Sequence, residues 1–425
     1  MNSLNKFLNK LIIILTKPLE VHMKKITILF LLFTLLFSEF ALAQNNVKVN
    51  AQIRPRFQFD DKDFNTNTDG NSFTELRSSL GAMFSPSENL TGFIQIQDSR
   101  IFGSEASTLS DSKNVDLHQA FFNVNNFFDL PLNLKIGRME LAYGSQRLLG
   151  SVGWSNVGRS FDGSVITLNS TPVDIDFIAV RVNESGLVGD SLDAFLFSAY
   201  GSLKVVDKLN IQPFVIFENT NKADFERYTV GLNVSCKDKS KAFQQELDAA
   251  YQLGKQSATK DIAAFMVAYN LGYTFDSSLK PMLGAGVDYL SGDDGKDADK
   301  IKVFNTLYAT NHKFYGFMDY FINIPAHTFG LGLLDIHAKA SFVPLQKLKV
   351  DLAYHMFSSN ADYTLLDGNT STSFGSEVDL TLSYKYDSNV NFVGGFSFFA
   401  PGDIFKEKKG EDSSMWTYVM AVVNL

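Results

Sequence analysis

The chain of 425 residues holds a single cysteine, Cys236, which excludes an internal disulfide and fits no cysteine-built metal spacing. No linker, repeat or low-complexity break divides it. Positive charge is in deficit: lysine and arginine number 38 against 46 aspartates and glutamates, a net of −8. That balance argues against nucleic acid as a partner. Long apolar runs are missing except near the start. There Met23-Lys24-Lys25, the run Ile26 to Phe37 and Ala41-Leu42-Ala43 have the charged, apolar and small-residue regions of a secretory signal peptide. The run is shorter than the roughly 20 residues of a membrane anchor and is broken by Ser38-Glu39. Residues 1–43 are expected to be a cleaved leader with Met23 as the true start, and residues 44–425 a single barrel domain. Removing the leader takes away five lysines and two glutamates, leaving 33 basic against 44 acidic residues, a net of −11.

What is present beyond residue 46 is alternation with a period of two. In VKVNAQIRPRFQF, residues 47–59, Val47, Val49, Ala51, Ile53, Pro55, Phe57 and Phe59 alternate with Lys48, Asn50, Gln52, Arg54, Arg56 and Gln58. Similar runs include Phe265/Val267/Tyr269/Leu271/Tyr273/Phe275, Leu334/Ile336/Ala338/Ala340/Phe342 and Val378/Leu380/Leu382/Tyr384/Tyr386. Runs of about ten residues match tilted bilayer-crossing strands better than the usual five or six of soluble sheets. Connections alternate in length. Short turns such as Ser85–Asn89, Val206–Lys208 and Asp387–Asn389 separate long polar loops at 101–114, 142–160, 183–191, 291–331, 358–375 and 401–413. Short periplasmic turns opposite long extracellular loops are the connectivity of a bacterial outer-membrane barrel. Tyr273, Phe275, Tyr384, Tyr386, Trp416 and Tyr418 would form its interface girdles. Nineteen runs can be counted. Periplasmic termini need an even number, so Phe314–Phe321, FYGFMDYF, is assigned to an external loop. The expected fold is an all-β transmembrane antiparallel barrel of about 18 strands, wide enough for an aqueous lumen.

Arginine is absent beyond residue 227. The nine arginines are Arg54, Arg56, Arg77, Arg100, Arg138, Arg147, Arg159, Arg181 and Arg227, whereas lysines continue to Lys409. Concentrated arginine suggests planar, bidentate recognition of carboxylate or phosphate. Arg54, Arg56, Arg77 and Arg227 lie on the polar phase of their strands and should face the lumen. The plainer alternative pairs each with an acid such as Glu75, Asp98 or Asp162, stiffening the wall. Alternation from Ile94/Ile96 and Leu134/Ile136 puts Asp98, Arg100, Arg138 and Glu140 on the lipid side. Either a bulge shifts the phase or these residues, with Arg181, lie above the apolar band.

The segments ELRSSLGAMFSPSENLTGFIQIQDSRIFG (75–103), DLHQAFFNV (116–124) and above all LKIGRMELAYGSQRLLGSVGWSNVGRSFDG (134–163) resemble the alginate export family of outer-membrane porins. YLSGD (289–293) and LYATNHKFYGFMDYF (307–321) are weaker echoes. The resemblance implies an eighteen-stranded monomeric barrel passing anionic uronate-like oligo- or polysaccharide through a narrow arginine-rich constriction. Carried over by motif position, Arg77, Arg100, Arg138 and Arg159 would be its positive wall, and Asp98, Glu140 and Asp162 the acids orienting them. That implication favours the bulge. The chain departs from the family pattern at Met139, where glutamine is common.

Competing readings are a general small-solute porin, a plugged structural barrel and a barrel hydrolase. His337, Asp351 and His355 share a polar phase on neighbouring strands, but no serine sits in a recognisable nucleophile motif. No enzymatic activity and no cofactor are expected. SGDDGKDADK, with Asp293, Asp294, Asp297 and Asp299, is a possible surface calcium loop without the bidentate glutamate of an EF-hand. The loop 291–331 is the segment placed to fold inward as a gate.

Overall fold

A computed structural model describes residues 47–109, 114–184, 193–203, 209–220, 224–236 and 242–425. The expected leader and the turn at 206–208 lie outside them. The strands in chain order are β1 (Val47–Asp61), β2 (Asn71–Ser87), β3 (Leu90–Ile101), β4 (Val115–Val124), β5 (Leu132–Met139) and β6 (Phe161–Leu168). They continue as β7 (Val173–Asn183), β8 (Ala194–Leu203), β9 (Leu209–Thr220), β10 (Phe225–Cys236), β11 (Phe243–Ser257), β12 (Lys260–Thr274) and β13 (Met282–Leu290). After the two-residue β14 (Lys300–Ile301) come β15 (Leu333–Leu345), β16 (Leu348–Thr364), β17 (Thr370–Lys385), β18 (Val390–Pro401) and β19 (Ser414–Asn424). Each wall strand pairs antiparallel with its sequence neighbours, and β1 pairs with β19 to close the ring. β13 pairs directly with β15, while β14 lies parallel against β12. The wall therefore has eighteen strands, and closure leaves no free sheet edge within it.

Alternation does what the pattern predicts on β1: Val49, Ile53 and Phe57 are exposed on the outer face, while Arg54, Arg56 and Gln58 are buried inside. The same outward apolar phase recurs at Leu80, Ile94, Phe177, Val230, Phe265, Ile336, Val378 and Val419. This is the lipid-facing surface, where a charge at the midplane costs about 2–4 kcal/mol. Phe314–Phe321 lies outside the wall strands, in the connection between β14 and β15.

Two expectations need correction. Residues 358–375 are not a long loop, because β16 continues to Thr364 and β17 resumes at Thr370. Phe357, Ser359 and Ala361 keep the inward phase across register shifts at Phe357/Ser358 and Ser358/Tyr363. Beyond the apolar band the outward residues are polar, so the alternation there is hidden. Trp416 and Tyr418 do not belong to a girdle. They are buried in the lumen, with the Trp416 indole donating to Gln58 Oε1 at 3.0 Å, and Met415 and Val419 are the exposed residues beside them.

The lumen contains the hydrophobic core. Leu141, Leu148 and Leu149, from the connection between β5 and β6, are buried with Met139, Phe161, Val165, Ile178, Val180, Leu196 and Ile216. The same cluster continues under the extracellular mouth as a group of aromatic rings. Phe321 packs on Phe357 with ring centroids 4.5 Å apart, on Phe374 at 5.6 Å and on Phe405 at 5.5 Å. Phe405 lies on a short helix, Asp403–Lys408, and also meets Phe64 from the connection between β1 and β2. Offset and edge-on ring pairs of this kind add about 0.5–1.5 kcal/mol each to the area they bury.

Truncating Phe321 to alanine should weaken this packing by about 3–5 kcal/mol and leave the wall intact. Limited proteolysis of the detergent-solubilised barrel checks this. Cutting between residues 291 and 332 should accelerate while the gel shift of the folded barrel persists, and an unchanged cutting rate would show that Phe321 does not hold the loop.

Candidate functional site

The connection 140–160 turns back from the rim into the barrel, so its carbonyls need donors inside the lumen. β1 and β2 provide them. Arg54 donates to the carbonyls of Gly153 at 2.7 Å, Trp154 at 3.0 Å and Ser155 at 2.7 Å. Arg56 donates to Trp154 O at 3.1 Å, and Arg77 to Gly153 O at 3.0 Å and Ser155 O at 3.2 Å. Arg54 and Arg77 are direct cross-strand partners, a like-charge pair that opposes pairing. The loop carbonyls between them offset the repulsion, with Glu75 bound to Arg56. The Arg56 guanidinium lies 4.4 Å from the Trp154 ring. A planar fork with five N–H groups in fixed directions can serve several carbonyls and a carboxylate at once, whereas a lysine ammonium has three donors on a compact point charge.

The clamped loop is joined to the connection between β14 and β15. Leu149 bridges Tyr308, Gly150 N donates to Tyr308 O at 2.8 Å and Tyr308 N to Leu148 O at 2.9 Å. Arg159 donates to the carbonyls of Gly150, Tyr308 and Ala309. Trp154 stacks on His312 at 4.6 Å, and His312 on Phe317 at 5.0 Å. The two loops thus form one body across the lumen.

Arg147 anchors that body to the opposite wall. It grips Asp288 of β13 through two nitrogens at 2.6 and 3.1 Å, lies 3.3 Å from Asp248 of β11 and donates to the Tyr315 hydroxyl at 3.2 Å. The Phe314 ring sits 3.8 Å from its guanidinium. Desolvation is the largest influence on Arg147 and opposes its charge, but Asp288, Tyr315 and Asp248 outweigh it and hold the group protonated. Nearby, Glu377 of β17 accepts from Met318 N at 2.7 Å. Gly316 allows that approach: its φ is +77°, and a Cβ there would lie 2.4 Å from the Glu377 carboxylate.

A hollow of about 320 Å³ lies beside the clamp, lined by Gln52, Arg77, Gln95, Gln97, His118, Glu140 and Gly153. Glu140 meets His118 Nε2 at 2.8 Å. Ser160 gives its hydroxyl proton to the His118 carbonyl at 2.5 Å, with His118 Nδ1 3.2 Å away.

The alginate export family model matches residues 45–419. This chain belongs to that family. The fold of this alginate export family barrel is similar to solved outer-membrane proteins of Pseudomonas aeruginosa. OpdK matches at a TM-score of 0.60 and 14% identity, covering 90% of this chain and 99% of that one. OpdO matches at 0.59 and 13%, covering 89% and 97%. OccAB4 of Acinetobacter baumannii matches at 0.57 and 12%, covering 89% and 98%. None of the curated protein sequences matches this chain. The protein is a porin-type barrel of the bacterial outer membrane.

Within this family member, the residues singled out by motif part company. Arg54, Arg56, Arg77 and Glu140 come together at the clamp, and Arg159 joins the two loops. Arg227 faces inward on β10 but is paired with Glu218 at 3.2 Å, so it lies apart from the clamp. Asp98, Arg100, Arg138 and Asp162 are not luminal. Arg100 holds Asp98 at 2.6 and 2.5 Å on the outward phase of Ile94 and Ile96, which are 49% and 45% exposed. Arg138 pairs with Asp162 at 2.8 Å, while Met139 and Phe161 beside them point inward and are buried. A bulge exists, but it falls on β4 at His118, where the register with β3 shifts between Gln95 and Ile96. It leaves the phase of Asp98 and Arg100 unchanged. At these strand ends, above the apolar band, paired outward charges carry little penalty. Met139 itself is fully buried in the luminal core.

The hydrolase grouping also changes partners. His355 bonds Asp335 at 2.9 Å, not Asp351, and Asp351 pairs with Lys349. The carboxylates of 293–299 do not converge. Asp293 accepts from Gly295 N and Lys302 N, Asp294 binds Lys296, and Asp297 binds Lys302.

Replacing Arg147 by methionine should strand Asp288 and Asp248 as buried, uncompensated charges, costing about 3–5 kcal/mol. In planar bilayers the variant is expected to show larger and noisier single-channel currents than the parent, because the loop body loses its far anchor. Identical currents would mean that the body stays docked without it.

Proposed function

We propose that the barrel is a passive, monomeric porin for anionic saccharides of the uronate type. The observation that carries this reading is the convergence of Arg54, Arg56 and Arg77 beside a hollow lined with glutamine amides, His118 and Glu140. Amides suit sugar hydroxyls, and Arg77, the member of the trio that borders the hollow, supplies a planar cation for a carboxylate. Glu140 keeps the net attraction modest, so that a solute can leave as well as enter. Arg54 and Arg56 act by holding the loop that shapes the hollow. Family membership supports an anionic saccharide cargo.

A second reading, a general small-solute porin, is favoured by the way Arg54 and Arg56 spend their donors on loop carbonyls. Single-channel recording under a salt gradient, with oligouronates titrated in, separates the two. The first reading expects anion selectivity and block by oligouronate, with Arg77→Ala weakening block about tenfold, the scale of one lost charge-assisted hydrogen bond. Currents indifferent to oligouronates would favour the general porin. Matched block in parent and Arg77→Ala would remove Arg77 from the path.

A further inference from the structure

Asp335, His337 and His355 form a buried cluster that the loop clamp does not use. Asp335 and His337 share the inward phase of β15, and His355 is the cross-strand partner of His337 on β16. All three are buried. Asp335 Oδ2 lies 3.1 Å from His337 Nδ1 and 2.9 Å from His355 Nδ1, and one ligand atom from each residue falls within 4.8 Å of the others. Around a first-row divalent ion with bonds of about 2.0–2.1 Å, neighbouring donors stand roughly 2.9–3.4 Å apart. Both carboxylate–imidazole distances already have that spacing, with the ligand atoms of the two imidazoles within 4.8 Å of each other, on two paired strands that fix the geometry.

The surroundings prepare one ring for metal. His337 Nε2 lies 2.8 Å from Asn270 Oδ1 on β12. That oxygen only accepts, so Nε2 carries a proton, and in the neutral ring Nδ1 is then the nitrogen whose lone pair faces Asp335, an arrangement that a cation between them completes. The outer hydrogen bond from a ring N–H to a carbonyl oxygen is also the usual support of a metal-bound histidine. Gly286 of β13 stands between Asn270 and His337 in the register. A Cβ there would sit 2.3 Å from His337 Nε2 and 2.6 Å from Asn270 Oδ1, so glycine is what lets the two meet. Access is open on both sides. His337 borders a hollow of about 390 Å³ and His355 another of about 230 Å³.

We propose that Asp335, His337 and His355 bind a divalent transition-metal ion, of the zinc or cobalt class, in the wall of the lumen. Two imidazoles and one carboxylate suit such ions better than calcium or magnesium, which favour all-oxygen shells. Solvent from the adjoining hollows completes the coordination. The ion links β15 to β16 and adds positive charge to a wall that also carries Asp288 and Glu377.

The test is titration of the untagged, chelator-stripped barrel in detergent with Co²⁺, read by its visible ligand-field absorption, followed by displacement with Zn²⁺. One Co²⁺ per chain with a four- or five-coordinate spectrum, released by Zn²⁺, is expected. His337→Gln and His355→Gln should each abolish the band, and Asn270→Leu should weaken binding by about 10–100-fold. His327→Gln, in the extracellular loop, should leave it unchanged. Gel mobility identifies any variant that fails to fold, and the unmodified protein decides the matter in any case. An absent or purely six-coordinate aqua-type spectrum, or a band that survives both histidine substitutions in folded barrels, would overturn the site and leave a proton-bridged carboxylate–imidazole cluster.

Discussion

The interior depends on arginine side chains of the wall bonding to backbone carbonyls of a loop. A segment that enters a lumen leaves bulk water with its peptide groups unpaired, and each unpaired group costs about 1–3 kcal/mol. Arg54, Arg56 and Arg77 remove that cost at Gly153, Trp154 and Ser155. Arg159 repeats the device between loops. Once the loop is fixed, Trp154, Leu148 and Leu149 are delivered to the centre, and the apolar inward faces of β5–β9 have something to pack against. The hydrophobic core of this barrel is therefore a consequence of polar bonding.

Charge is unevenly distributed around the lumen. The clamp wall presents three arginines against Glu75, while Asp248 and Asp288 lie buried across from it on β11 and β13, and the buried acids Asp335, Glu377 and Asp379 continue along β15 and β17 toward the seam. Arg147 bridges the two by carrying a positive charge from the loop body into the acidic side. A solute crossing between them would meet a transverse field in a medium of low dielectric, where such fields act strongly. The outward pairs Arg100–Asp98 and Arg138–Asp162 contribute to the rim and not to that field.

Much of the wall was legible because period-two alternation is a direct record of which phase meets lipid. It gave nineteen runs, which the even number needed by periplasmic termini reduced to eighteen by setting Phe314–Phe321 aside, and it gave the inward direction of Arg54, Arg56, Arg77 and Arg227. The same rule put Asp98, Arg100 and Arg138 on the outward phase, where the structure keeps them; the family resemblance had favoured a luminal wall. At the rim, outward charges cost little, so their polarity needs no inward turn. Glu140, assigned to that outward phase, lies just past the end of β5 and turns to the hollow instead. On β19, Trp416 and Tyr418 alternate with Met415 and Val419, and a strand apolar on both phases does not say which face meets lipid. Arg147 lay in a loop with no period to read. Its only trace was the unusual run YGSQRLLG, and the acids that receive it, Asp248 and Asp288, were visible only as polar positions on distant strands.

The seam between β1 and β19 has a bearing on how the cylinder is held closed. β1 is at once half of the seam and the strand that carries Arg54 and Arg56. Gln58 on β1 receives the Trp416 indole from β19, and Trp154 of the clamped loop meets Trp416 and Tyr418 edge-on at 6.1 and 5.1 Å. Both seam strands therefore share contacts with the central loop. β19 closes the ring against that loop, so the contacts that seal the cylinder and those that fill its bore are held in common.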